Sequence, residues 1–355
     1  MAYTDIDKPS EYFNTVLYTG NGVDGRTITG VGFNPDMSWV KSRSNAKAHI
    51  VADSVRGANK NIVPNETGAE FNPTTDVGSG GIGQVTTDGF TCEQGTSDLT
   101  NVNQSAYTYA SWNWKAGGTA VSNTSGSITS SVSANTTAGF SIVSYTGNAT
   151  VSTIGHGLSS APKIIIVKRL NSAEAWPVDN RIGSGGIMYL NQTDGNGSYG
   201  DASPFPSTAP TSTVFSVGSA NNANASSAPM IAYCFADVKG YSKFSSYTGN
   251  GNADGTFVYT GFKPAFLIIK KSSASGRNWV MFDNTRDIDN PVLQSLEASL
   301  PDAEYTNTAT LDLLSNGFKT RSSGPSWNTS GDTYIYMAFA ENPFVTSTGI
   351  PATAR

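Results

Sequence analysis

Charge is scarce in this chain: Asp, Glu, Lys and Arg make up 14% of 355 residues, and 22 basic side chains face 27 acidic ones for a net charge of −5. No run of Lys or Arg exceeds a pair. There is thus no basic field to grip phosphates, and nucleic acid is not expected as a partner. Histidine and cysteine each occur twice, as His49, His156, Cys92 and Cys234, with no paired spacing. That argues against a zinc-type cluster and a disulfide framework, and leaves two buried thiols as the simpler reading. The nucleophile-elbow pattern G-x-S-x-G is missing. The glycine runs at 78–83 and 183–186 lack the Lys-Ser/Thr ending of a phosphate loop and read as plain loops. No apolar stretch comes near the roughly 20 residues of a membrane-spanning helix. The opening MAYTDIDKPSEYF is acidic where a secretory signal would be basic and then apolar. The expectation is a soluble chain made in a cytoplasm, with no cofactor, no metal and no membrane insertion.

Ser, Thr, Asn and Gly are plentiful between short apolar runs, and aromatics reach 10%. This composition suits an all-β protein with polar turns and has too many aromatics for disorder. One phrase recurs: YTGNG at 18–22, YTGNA at 145–149 and YTGNG at 247–251. Each copy is followed by a glycine, an apolar residue and a proline, then by an apolar run reaching a lysine. Those lysines, Lys41, Lys168 and Lys270, each lie 23 residues after the repeated tyrosine, Tyr18, Tyr145 or Tyr247. HIVADSVRG from His49 matches WVMFDNTRD from Trp279, which sets Asp53 and Arg56 against Asp283 and Arg286. WPVDNR from Trp176 offers Asp179 and Arg181 in the second copy. TTDGF at 86–90 is answered by LSNGF at 314–318 and loosely by VFSVG at 214–218. Each copy closes on an aromatic alternation: YTYASWNW, MIAYCFADV and YIYMAFAENPF.

These features predict an all-β fold of three tandem β-sandwich modules with one or two short helices. The boundaries are an N-terminal arm 1–14, modules 15–116, 139–239 and 240–345, a Gly/Ser/Thr-rich linker 117–138 and a tail 346–355. KIIIVKR and AFLIIKK read as strands buried on both faces, and the closing runs as strands with one face on a core. The linker is either flexible or laid along a sheet edge, since Ile128 and Val132 alternate with polar residues. NPVLQSLEASL at 290–300 is the best helical candidate.

Residues with a chemical role are few. His49 aligns with two tryptophans and so marks a place for a large flat side chain. A repeated Asp followed closely by Arg reads as an ion pair or turn fixture rather than a catalytic acid. The repeated tyrosines read as core. Tyr199 and Trp327, unrepeated aromatics in polar loops, are the candidates for contacting a partner.

Taken together, YTGNG, GVGFNPDMSWVKSR, DGF, YASWNWKAGG, GFSIVSYTGN and GHGLSSAPKIIIVKR resemble a repeated domain of unknown function found in structural proteins of marine tailed phages, including those of cyanobacterial hosts. The resemblance spans about residues 11–345. The second copy departs most, with a shortened Asp-Arg spacing and no clear DGF. What the resemblance implies is a non-enzymatic protein of the virion exterior, synthesised in the host cytoplasm. Its partners would be major capsid or tail proteins and, in a tail, a host surface glycan. A capsid decoration is favoured over a tail fibre because no heptads or shaft repeats are present. The short segments outside the modules are candidate clips to the shell.

Overall fold

A computed structural model describes residues 3–183 and 185–351. The chain is all-β. Among the described residues the helices are one 3-10 turn, Pro9–Glu11, and one α-helical turn, Asn221–Asn224. Each repeat builds the same four-stranded antiparallel arrangement from an opening, a lysine-bearing, a return and a closing strand. In the first repeat these are Phe13–Thr19, Met37–Ser42, Ile50–Asp53 and Thr108–Trp114. In the second they are Phe140–Thr146, Ile164–Arg169, Pro177–Asn180 and Pro229–Phe235. The third uses Ser242–Thr248, Phe262–Lys271, Val280–Asp283 and Thr333–Pro343. The spatial order is always opening, closing, lysine, return.

Side chains on the two faces of these sheets enter different cores, as the period of two along a strand dictates. Val40, Ile50 and Tyr109 pack outward onto the short strands Arg26–Ile28, Gly81–Thr86 and Gly89–Glu93 of their own repeat. Val143, Ile165 and Cys234 do likewise over Ser152–Gly155 and Val214–Val217. Leu267, Ile269 and Tyr334 do so in the third repeat. Here the sheet is continuous through Val292–Glu297, Tyr305–Leu314 and Gly317–Thr320 to Phe257–Tyr259, giving an almost closed, barrel-like wrap. The opposite faces meet in one core common to all three repeats. Trp39, Trp112 and Trp114 join Ile166, Tyr233 and Phe235 there, with Phe266, Met337 and Phe339 from the third repeat. A wholly apolar void of about 30 Å³ remains where Trp39, Trp176 and Trp279 converge.

Three expectations change. The closing strands, expected to have one face on a core, are buried on both, because the shared core covers what would otherwise be the solvent face. The segment 290–300 is not helical: Val292–Glu297 is a strand between Val280–Asp283 and Tyr305–Leu314. Val292 and Leu296, fully buried, satisfy a period of two as well as a helical period, and strand partners on both sides decide between them. The segment 117–138 takes the sheet-edge option: Val121–Asn123 and Ser130–Asn135 extend the second repeat's sheet beyond its opening strand.

The N-terminal arm lies along its own chain. Thr4 Oγ1 and the Asp5 amide both donate to the Lys239 carbonyl, each at 3.1 Å, and Ile6 is buried in the shared core. The Asp7 carboxylate accepts the Ser347 amide at 2.7 Å, joining the arm to the tail.

The recurring phrase is explained by one local device. Tyr18, Tyr145 and Tyr247 donate their hydroxyls to the carbonyls of Val102, Ala223 and Trp327, at 2.7, 2.6 and 2.6 Å. The next residue in each case, Asn103, Asn224 or Asn328, is fully buried, and its side-chain oxygen accepts the backbone amide of Asn21, Asn148 or Asn250. Its amide group donates back to the side-chain oxygen of that same asparagine, at 2.9, 3.3 and 3.1 Å. The glycine of the phrase is required by space rather than by dihedral freedom. A Cβ at Gly20, Gly147 or Gly249 would stand 2.0, 2.3 or 2.3 Å from the carbonyl oxygen of Gln104, Ala225 or Thr329. Gly249→Ala is therefore expected to lower stability by ~1–3 kcal/mol through overpacking. Chemical denaturation would measure this, with Gly331→Ala, which has open space but a positive φ, as a comparison for pure backbone strain.

Candidate functional site

The structure brings the repeated lysines, the return-strand aromatics and two of the three Asp-Arg pairs to the seams between repeats, not to a surface cleft. The flat side chain at the start of each return strand reaches back to the preceding repeat in the ring. Trp176 Nε1 donates to the Glu66 carbonyl at 3.0 Å, and Trp279 Nε1 to that of Tyr189 at 2.9 Å. His49 closes the circle. Its Nδ1 accepts from Trp39 Nε1 at 2.8 Å, so the proton sits on Nε2, which faces the Glu297 and Leu300 carbonyls, both at 3.1 Å. Burial holds this imidazole neutral, well below its ordinary basicity, and nearby Lys41 acts in the same direction.

The repeated lysines lie on the faces turned to the shared core and are fully buried. Lys168 Nζ donates to Thr67 and Glu174 carbonyls, both at 2.8 Å, and Lys270 Nζ to those of Thr193 at 2.9 Å and Arg277 at 2.5 Å. Thr67 and Thr193 belong to the preceding repeats, so each ammonium crosses a seam. Lys41 Nζ donates to the Ser42 carbonyl at 2.6 Å, near the third repeat's Asp302 and Glu304. Burial pushes Lys41 down to about 7, against the pull of those two carboxylates. Lys168 and Lys270 are pushed down to about 8 by the same cause, opposed by Glu174 and Asp194.

Asp53 binds Arg56 Nε at 2.5 Å and accepts the Tyr233 hydroxyl of the second repeat at 2.7 Å. Asp283 binds Arg286 Nε at 2.5 Å and accepts Trp112 Nε1 of the first repeat at 3.0 Å. The second repeat departs from the sequence alignment. Strand register pairs Met37 with Asp53 and Phe266 with Asp283, but Ile164 with Asn180. Asn180, not Asp179, holds the equivalent place, and its side-chain oxygen accepts the Ile182 amide just as Asp53 accepts that of Val55. A slip of one residue turns Asp179 to the opposite face. There its carboxylate lies 2.7 Å from Arg181 Nε, and burial raises it to about 6 despite that cation. On the closing strand Met337 pairs with Ile268 as Trp112 pairs with Trp39 and Tyr233 with Ile166. The second-to-third seam thus has neither the carboxylate nor the donor.

The loop aromatics are turned inward. Tyr199 is half-buried, donates its hydroxyl to the Asn180 carbonyl at 2.5 Å and stacks under the Arg181 guanidinium at 4.0 Å. Trp327 is half-buried against Phe282 and donates Nε1 to Ser322 Oγ at 2.8 Å. Sequence reasoning missed the buried asparagines, whose signal was available: Asn103, Asn224 and Asn328 each stand six residues before the closing-strand partner of the repeated tyrosine. It also missed the exposed aromatics Tyr3 and Tyr259, which flank a groove of about 540 Å³ with Asp5, Asp237, Lys239 and Lys243 on its walls. Cys92 and Cys234 are free thiols in separate outer cores, pushed up to about 12 and beyond by burial. Among the described residues no cluster of His, Cys, Asp and Glu is arranged to hold a metal ion, and no helix is long and apolar enough to cross a membrane.

The seams make stability depend on pH and on the buried carboxylates. An unfolded lysine titrates near 10.4, so from about pH 7 to 8.5 these three side chains hold more protons unfolded than folded and stability rises with pH, until the buried thiols, ordinarily near 8.5, begin to oppose them. The melting temperature is expected to climb from pH 7 to pH 8.5; a flat or falling trend over that range in calorimetry would contradict the lysine assignment. Removing Asp53 leaves buried Arg56 to Glu70, at 3.2 Å, and strands the Tyr233 hydroxyl. Asp53→Ala is expected to cost ~3–5 kcal/mol in denaturant unfolding. Asp53→Asn, which copies the second repeat's Asn180, is expected to cost less.

No curated protein and no solved structure matches the chain. A family model does, over residues 8–343, a span that takes in all three repeats and the sheet-edge segment between the first two. The chain therefore belongs to the family described as a domain of unknown function, DUF7483.

Proposed function

We propose that the chain is a structural protein of the exterior of a tailed-phage virion, foremost a capsid decoration on the head surface. In this reading it is three tandem β-sandwich modules, synthesised in the host cytoplasm and joined to the major capsid or tail proteins. It acts without catalysis, nucleic acid or membrane insertion. The observation that carries the reading is the use made of the repeated residues. The lysines, indoles and first-repeat histidine bind carbonyls of their own or a neighbouring repeat, and the carboxylates bind internal cations. Repetition serves a closed, rigid body, as a particle-coating protein requires, and leaves the unrepeated surface to make contacts. The arm and tail, the candidate clips to the shell, are tied to one another by Asp7 and Ser347.

The alternative is a tail-fibre or receptor-binding adhesin recognising host surface glycans, favoured by one feature, the groove between two exposed tyrosines. Quantitative mass spectrometry of purified particles separates the two. Copies comparable in number to the shell capsomers are expected for a decoration. A handful of copies would move the chain to the tail, and absence from the particle would defeat both readings.

A further inference from the structure

Because most of the repeated polar residues lie in the seams, a ligand site is to be sought where the repeats differ. The passage from the second repeat to the third, Asp237–Lys243, is such a place. The N-terminal arm crosses it, and the loop 259–261 faces it. The groove formed there, about 540 Å³, falls within the ~300–1,000 Å³ of small-molecule sites.

Two aromatic rings stand at its walls, Tyr3 at 61% and Tyr259 at 54% exposure, a large apolar area to leave in water. They are positioned, not loose. Lys243 Nζ sits 5.4 Å from the centre of the Tyr259 ring and donates to that residue's own carbonyl at 3.2 Å. The Tyr259 ring leans over Gly261, where an added Cβ would meet the phenol oxygen at 3.6 Å. Lys239 Nζ lies 5.9 Å from the centre of the Tyr3 ring. Gly240 has a positive φ, and a Cβ there would be 2.3 Å from Thr4 Oγ1, so the glycine lets the arm pack closely against this passage. Asp237 is anchored by the Phe244 amide at 2.7 Å, and Asp5 by its own amide on Lys239.

The lining carries two carboxylates and two ammoniums, so the groove offers acceptors and donors side by side rather than a field of one sign. A neutral polyol with an apolar C–H face matches each part: the face stacks on a tyrosine, and adjacent hydroxyls donate to Asp5 or Asp237 and accept from Lys239 or Lys243. We infer that this groove is a binding site for a neutral saccharide. The assignment holds whether the chain sits on a head or on a tail, so its test and the copy-number measurement fail independently.

The test is a glycan array of neutral and acidic oligosaccharides probed with the full chain, with cellobiose, maltose, lactose and chitobiose titrated in solution by NMR. Saturable binding of a neutral saccharide is expected, weakened about tenfold by Tyr259→Ala, which removes the stacking ring, and kept by Tyr259→Phe. Both variants should stay close to the parent's melting temperature, because the ring is exposed and Lys243 keeps its hydrogen bond to the backbone carbonyl of residue 259. Should Tyr259→Ala fail to fold, Tyr3→Ala on the opposite wall reads the same loss. No saturable binding, binding confined to acidic glycans, or neutral binding indifferent to the loss of either ring would overturn the assignment.

Discussion

The structure depends on one constraint: the main sheet of each repeat is apolar on both faces. The short outer strands of a repeat cover one face, and the other is covered largely by the neighbouring repeats. Without them, Ala110, Trp112 and Trp114 on one closing strand would be left in water, as would Ile231, Tyr233 and Phe235 or Ile335, Met337 and Phe339 on the others. Turning the three bare faces toward a common centre removes all of them from solvent at once. Apolar burial supplies the driving force but no direction, since it is proportional to area and indifferent to partner.

Direction comes from the polar groups enclosed with that core. A buried donor without an acceptor costs far more than a surface one, so each indole and ammonium at a seam constrains where the next repeat can sit. Trp176 and Lys168 find carbonyls of the first repeat, and Trp279 and Lys270 find those of the second. His49, with its proton directed to Nε2 by Trp39, finds those of the third. The carboxylate network is less uniform. Where the closing strand supplies Tyr233 or Trp112, the return strand of its neighbour carries an aspartate. Met337 occupies the corresponding closing-strand place in the third repeat, while the second repeat's return strand carries Asn180. A charged acceptor is present where a donor meets it and absent where none exists, as desolvation would demand.

The same division sorts interior from exterior. Residues common to the repeats turn inward, and the groove lies at a passage shaped by the arm and by residues particular to that junction. The first-to-second passage is instead taken up by the extra edge strands Val121–Asn123 and Ser130–Asn135. Repetition built the body, and departures from it left the surface available for recognition.

Much of the architecture was legible in the chain. Strand class, the three repeats, the two-faced burial of the lysine strands and the local Asp-Arg pairs all follow from periodicity and fixed spacing, which are properties of neighbouring residues. The segment at 290–300 misled because two periods fit its apolar positions, and only pairing on both sides selects one. Asp179 misled because its alignment is off by a single residue, which in a strand reverses the face. Tyr199 and Trp327 lie in polar loops as expected, with half-buried rings that also hydrogen-bond within the chain, while Tyr3 and Tyr259 gave no pattern to notice. The sequence by itself determined what each element is and how often it recurs, since those depend on local steric and hydrophobic preferences. Tertiary structure alone decided that the sheets share one core, which carbonyl receives each buried N–H and which aromatics remain in water, because backbone acceptors from a distant repeat leave no mark on the residues that bind them.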